Sequence, residues 1–301
     1  MSRLSRAVPA ALVALVLAAG HSFAHRPERH ATEPVVSPDG KLVAYAREAG
    51  GAWQLRVIGV DGSGDTLVLS RLGDGRPIGW ADGHDRLLFS SNEGASSEVW
   101  ICALDGSDAH PVAGVDGKAV SRSHVGRRLA YASGTWTRSR LMVDDADGRP
   151  ARALTDSSAS WYTIAWSPDD SLLAVARRDS SGTLQLWLVD PITGHGSPLT
   201  AIPASAGQPQ WPAWSPDGRR LAVQVGRYDR SDRTKSESDI WVVGLARGTA
   251  RRITQRPRLW LDETPAWTPD GRHIVIQSTR TGRFELWVMD DDGRHPRQLT
   301  R

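Results

Sequence analysis

A block of thirteen residues recurs six times in this chain without an internal gap, and no other feature restricts the fold as much. The copies read PVVSPDGKLVAYA (34–46), IGWADGHDRLLFS (78–90), VSRSHVGRRLAYA (120–132), IAWSPDDSLLAVA (164–176), PAWSPDGRRLAVQ (212–224) and PAWTPDGRHIVIQ (265–277). Their reference residues, Val36, Trp80, Arg122, Trp166, Trp214 and Trp267, are spaced by 44, 42, 44, 48 and 53 residues. A period of about 40 to 50 residues belongs to propeller blades and to helical arrays.

Local chemistry chooses between the two. Ser-Pro-Asp-Gly is a tight turn: proline presets φ, serine and aspartate bond the nearby backbone, and glycine accepts a positive φ. A short Leu/Val/Ala run follows. A second run then ends on another turn, as in EVWICALDG (98–106), LQLWLVDPITG (184–194) or ELWVMDDDG (285–293), and a segment such as ARALT, ARRIT or PRQLT completes the unit. Four short strands joined by turns leave no room for a capped helix of three turns. The chain is therefore expected to be all-β, a six-bladed β-propeller of four-stranded antiparallel blades. Each copy supplies its own four strands, which predicts a ring closed without a shared blade. The approximate blades are 34–75, 76–117, 118–160, 161–206, 207–262 and 263–301, after a short segment at 25–33.

Residues 1–24 read as a secretory signal peptide. Arg3 and Arg6 precede an apolar run, Ala7 to Gly20, and Ser22-Phe23-Ala24 offers small residues for cleavage after Ala24. The run is too short to prefer a spanning helix, and no cysteine follows it, so no membrane anchor is expected after cleavage. Loss of the two arginines lowers the formal charge from +3 to +1. A near-neutral secreted protein lacks the electrostatic footprint of a nucleic-acid binder. The single cysteine excludes an intramolecular disulfide and any Cys-cluster metal site.

The pattern of (W)(S/T)PDG, short strand, (I/L)WV.D.DG and R.LT resembles the propeller repeats of the TolB family, and more loosely those of prolyl-oligopeptidase-like proteases. It is strong at Ser37 to Gly40, Ser167 to Asp170, Ser215 to Gly218 and Thr268 to Gly271, and weak at Ala81 to His84 and Ser123 to Gly126. The resemblance implies a periplasmic propeller that binds envelope partners. The α/β domain that precedes the propeller in that family has no counterpart expected here, so its contacts do not carry over.

Motifs with chemistry are few. No G-x-S-x-G, H-E-x-x-H, Walker or dinucleotide fingerprint occurs. The repeated aspartates Asp39, Asp169, Asp217 and Asp270 read as turn formers, spread around a ring. Asp145 to Gly148 and Asp290 to Gly293 lack a full calcium-loop spacing. His84, His124 and His273, with His110, His195 and His295, fall at turns on one face, where a surface role outweighs a metal site. No cofactor, metal or catalytic residue is assigned.

Tryptophan is unusually abundant, 13 against 3 Phe and 4 Tyr. Trp80, Trp166, Trp214 and Trp267 repeat at one strand position and Trp100, Trp187, Trp241 and Trp287 at another, as blade-to-blade packing would require. Trp53, Trp136, Trp161, Trp211 and Trp260 do not repeat, and all map to the face carrying the second-to-third-strand loops and the blade connections. With their neighbours they define the candidate partner surface: Trp136, Trp161, Tyr162, Trp211, Tyr228, Arg256, Arg258, Trp260, Asp262 and Glu263, residue types that dominate binding hot spots. Trp161→Ala and Trp260→Ala are expected to impair capture with little change in melting temperature. The leading reading is a non-catalytic periplasmic or secreted propeller that binds an envelope protein, peptide or glycan. The alternatives are a propeller hydrolase or polysaccharide lyase with a metal near the channel mouth, and a propeller subunit detached from a peptidase-like partner.

Overall fold

The structure is a computed structural model that describes residues 31–71, 75–81, 84–91, 98–116, 118–125, 127–135, 137–145, 147, 149–228, 236–254 and 260–301. The signal segment at 1–24 lies outside these residues.

Six four-stranded antiparallel sheets follow one another along the chain, each with its strands in sequence order. The first holds β1 (Thr32–Val36), β2 (Leu42–Ala49), β3 (Ala52–Gly59) and β4 (Thr66–Leu69). The second holds β5 (Pro77–Trp80), β6 (Arg86–Ser91), β7 (Glu98–Ala103) and β8 (His110–Asp116). The third holds β9 (Lys118–Arg122), β10 (Leu129–Gly134), β11 (Ser139–Asp144) and β12 (Arg152–Ala153). The fourth holds β13 (Ser160–Trp166), β14 (Leu173–Arg178), β15 (Leu184–Val189) and β16 (Gly196–Pro198). The fifth holds β17 (Gln208–Trp214), β18 (Arg220–Arg227), β19 (Glu237–Gly244) and β20 (Thr249–Arg252). The sixth holds β21 (Asp262–Trp267), β22 (His273–Ser278), β23 (Glu285–Asp290) and β24 (Arg297–Gln298). This is the expected six-bladed propeller. β1 opens at Thr32, two residues before the first repeat block, so Thr32 and Glu33 belong to an inner strand.

The turn chemistry recurs almost atom for atom. Ser37 Oγ donates to Asp39 Oδ1 at 2.6 Å and accepts from Leu42 N at 2.9 Å. Ser167 with Asp169 (2.7 Å), Ser215 with Asp217 (2.5 Å) and Thr268 with Asp270 (2.5 Å) repeat the donation. The serine hydroxyl is the main reason the Asp39 and Asp169 carboxyls are held down at about 2. These aspartates close turns.

The repeated tryptophans join neighbouring blades. Trp80 Nε1 donates to Val35 O (3.1 Å), Trp166 to Ser121 O (3.2 Å), Trp214 to Ala165 O (3.1 Å) and Trp267 to Ala213 O (3.2 Å). Each indole fills the gap between two blades and satisfies a carbonyl of the preceding one. Where the third blade has Arg122 instead, its guanidinium donates to Trp80 O at 3.3 Å. Val36 has no such donor, so the sixth-to-first interface depends on other contacts. Val43, Tyr45 and Ile58 pack there against Val275, Leu286 and Leu299. Arg297 donates to Val60 O (2.9 Å) and Asp61 O (2.7 Å), and Ala31 N to Phe284 O (3.1 Å). Blade 6 is thus complete from β21 to β24, and β1 packs on it as the inner strand of its own sheet. The ring closes without a shared blade.

At the outer edge the R.LT segment performs two tasks. Its arginine reaches the next blade, as when Arg152 donates to Pro191 O (2.9 Å) and Ile192 O (2.8 Å). Its threonine accepts from the third strand: Thr155 Oγ1 from Leu141 N, Thr254 from Ile240 N and Thr300 from Leu286 N, at 2.9–3.0 Å. Among the described residues no helix is long and apolar enough to cross a membrane.

Candidate functional site at the channel mouth

The inner strands surround a channel with a cavity of about 710 Å³. One end carries the Pro-Asp turns, with Pro38, Pro168, Pro216 and Pro269 beside His84 and His124. The other end, where the blade connections enter, carries Glu33, Arg76, Thr163, Trp211 and Thr264.

That second end has an irregular backbone. The inner-strand pairing slips between Thr32 and Val35, Pro77 and Gly79, Trp161 and Ile164, Gln210 and Ala213, and Glu263 and Ala266. These are β-bulges, which re-aim side chains and release backbone groups from the ladder. Three residues before the block reference, Glu33, Ala119, Trp211 and Thr264 take φ of +58°, +55°, +51° and +48°. Such angles are uncommon for residues with a Cβ, above all a β-branched threonine, and cost on the order of 1–3 kcal/mol each. Pro77 holds the same position in blade 2, where its ring forbids a positive φ.

Side chains from the preceding blade satisfy the displaced amides. Glu33 N donates to Gln277 Oε1 (2.8 Å), Thr264 N to Gln224 Oε1 (3.1 Å) and Trp211 N to Thr163 Oγ1 (3.0 Å). The glutamines are held in turn. Gln277 donates to Glu263 Oε2 (2.9 Å), and Gln224 to the Tyr228 hydroxyl (2.6 Å), which also accepts from Gln210 (2.7 Å). Desolvation of its hydroxyl pushes the Tyr228 phenol well above the ordinary range even though the residue as a whole stays partly exposed, and the nearby Glu263 charge adds to the shift.

The structure sorts the sequence candidates into two groups. Trp161 is 6% exposed, in a core with Trp166, Leu141, Val143 and Val175. Asp262 is fully buried, accepting from Ser278 Oγ (2.5 Å) and Arg280 Nη2 (3.1 Å), and Glu263 is buried between Gln277 and Ser238. These three support the mouth from within. Tyr162, Trp211 and Trp260 are half-buried, and Tyr228 is 42% exposed. Arg178 lies 4.9 Å from the Tyr162 ring, and Arg280 sits between Trp260 (5.7 Å) and Trp287 (5.5 Å). Trp136, Arg256 and Arg258 lie outside the described residues.

Sequence reasoning missed Glu33, Arg76, Gln224, Thr264 and Gln277. Reading the alignment three residues upstream of the reference would have exposed the column Glu33, Pro77, Ala119, Thr163, Trp211, Thr264. The histidines stay at turns: His295 Nδ1 is 2.7 Å from Asp290 Oδ2, and His110 Nδ1 is 2.8 Å from Asp108 O. Among the described residues, no group of three or more His, Cys, Asp or Glu side chains could hold a metal ion.

The TolB beta propeller domain family, PD40, matches residues 121–301, which are blades 3 to 6 and more than half of the chain. The chain belongs to the TolB β-propeller domain family. Two curated relatives of this TolB-type chain are an uncharacterized protein, Atu1656, of Agrobacterium fabrum, 29% identical over 134 residues, and the Tol-Pal system protein TolB of Bordetella pertussis, 31% identical over 171 residues. The matches cover 44% and 55% of this chain but only 41% and 35% of those relatives, so the chain spans less than half the length of either. Among solved structures, TolB from Acinetobacter baumannii superposes with a TM-score of 0.69 at 20% identity, over 87% of this chain and 64% of that one. A puromycin-hydrolyzing peptidase from Mycobacterium tuberculosis (TM-score 0.62, 15% identity, 92% and 54% covered) and an oligogalacturonate lyase in complex with manganese (0.56, 15%, 87% and 77%) share the fold alone.

Proposed function

We propose that this TolB-type propeller is a non-catalytic binding module of the cell envelope, exported by its N-terminal signal to the periplasm or beyond, which captures a protein, peptide or glycan at the channel mouth. The observation that carries this reading is that four aromatics of the face carrying the blade connections, Tyr162, Trp211, Tyr228 and Trp260, are partly exposed, with the Trp211 amide at a bulge held by Thr163. Rigid aromatics bury contact area at small entropic cost, which is what hot spots require. The relationship to a Tol-Pal system protein supports an envelope partner without naming it.

The test is affinity capture from envelope extract with the mature chain, beside Trp211→Ala and Trp260→Ala. The variants should lose the captured species while keeping the parent melting temperature to within a few degrees. Retention of every captured species by both variants would remove the channel mouth from the binding surface.

A further inference from the structure

Arg76 and Trp211 belong to blades 2 and 5, which stand opposite one another in a ring of six. The Arg76 guanidinium nevertheless lies 4.8 Å from the centre of the Trp211 ring. The two side chains therefore span the channel and meet across it. Both are anchored at the backbone. Arg76 N donates to Ser90 Oγ (3.0 Å) and Arg76 O accepts from Ser90 N (2.9 Å), while Trp211 N is held by Thr163.

The guanidinium is positioned but not hydrogen-bonded. Its nearest carboxylate oxygen, Glu33 Oε1, is 4.0 Å from Nη1, beyond hydrogen-bond range, and no other described residue accepts from it. The side chain is only 25% exposed. Arginine carries five N–H donors in a planar fork, and with the side chain a quarter exposed they face the channel, open to an acceptor. Thr264 also lines the cavity, but its Oγ1 is shut off from it, so the hydroxyl takes no part in this site.

A fork of free donors laid on an indole inside a cavity suits a planar, acceptor-rich anion. We propose that the channel mouth is a receptor for one carboxylate group on a small molecule able to enter the cavity, with Arg76 as bidentate donor and Trp211 as platform. Bidentate carboxylate pairing is the geometry for which an arginine fork is suited and a lysine is not. Glu33 carries like charge to this ligand and weakens it. The inference rests on the reading of this mouth as a binding surface. It concerns small ligands, so its failure would leave capture of an envelope macromolecule intact.

Calorimetric titration of the mature protein decides it. The probes are D-glucuronate against D-glucose, and triglycine with a free C-terminus against its amide. At least one carboxylate should bind, tenfold or more tighter than its neutral counterpart. Binding of the sugar acid alone, of the peptide end alone or of both identifies the source of the group, and each supports the site. Arg76→Gln should lose tenfold or more. Glu33→Gln should tighten binding, a direction that a cation-binding mouth would reverse. If Arg76→Gln fails to fold, Arg76→Lys keeps the charge without the fork and should still lose severalfold. Equal binding of charged and neutral probes, no binding of either carboxylate to the parent, or parental affinity in the folded Arg76 variant would overturn the proposal.

Discussion

Replacing Trp161 by alanine separates a binding surface from a packed core. The indole is 6% exposed between blades 3 and 4, against Ala130, Leu141, Val143, Trp166 and Val175. A buried tryptophan removes about 150–250 Å² from water, or roughly 4–6 kcal/mol gross at ~25 cal/mol per Å². Its Nε1 has no hydrogen-bond partner, so no bond is lost on truncation, and the backbone amide bonded to Ser139 Oγ (2.9 Å) remains. The Arg177 guanidinium 5.8 Å from the ring adds about 0.5–1 kcal/mol. Partial collapse of the site returns some of this, so the expected loss for Trp161→Ala is about 3–5 kcal/mol. At roughly 2–4 °C per kcal/mol for a domain of this size, the melting temperature falls by about 6–20 °C. Trp161→Phe keeps most of the buried area and deletes the unsatisfied N–H, and should cost no more than about 1.5 kcal/mol. Scanning calorimetry of the two variants is the assay. A Trp161→Ala protein that melts within about a degree of the parent, yet no longer captures its partner, would refute this reasoning and return Trp161 to the binding surface.

Other outcomes follow from the same geometry. An alanine Cβ at Gly293 would collide with Ile253 O at a φ of +87°, whereas at Gly282, with φ +92°, it would meet nothing within 4 Å. Both substitutions carry the positive-φ penalty of about 1–2 kcal/mol, and Gly293→Ala alone should lose well beyond it in urea denaturation. The Asp169 carboxyl is held down at about 2, mainly by the Ser167 hydroxyl, so its contribution to stability is fully present above the unfolded value near 3.9 and disappears as pH falls through about 2. The stability difference between Asp169→Asn and the parent should accordingly be constant from pH 7 to 5, shrink below pH 4 and vanish only below pH 2. Burial pushes the Cys102 thiol up to about 11, so thiol reagents at pH 8 should label it only when the protein unfolds, at a rate that rises with denaturant.

Much of the fold was legible because its signals are local and repeated. Ser37, Pro38, Asp39 and Gly40 make their turn with one another, so any copy of those four residues announces the same hairpin. Trp80, Trp166, Trp214 and Trp267 recur at one register, and a residue that recurs with the blade must serve the blade. The candidate site was legible only in outline. Trp161 and Trp211 fall five and three residues before the block reference, with nothing in their neighbours to mark one as core and the other as channel lining. The bulge decides it. Slipping one strand against its partner turns Trp161 inward between blades and leaves Trp211 facing Arg76 across the ring.

From the sequence alone came the number of blades, their four-strand order, the closure without a shared blade and the turn role of the repeated aspartates, all consequences of short-range chemistry read at a fixed period. Tertiary structure alone decided which aromatics are exposed, that the displaced amides of Glu33, Trp211 and Thr264 are satisfied from the preceding blade, and that Arg76 meets Trp211. Those contacts join residues far apart in the chain, whose approach is set by strand register and by closing the ring, and neither leaves a trace in local composition.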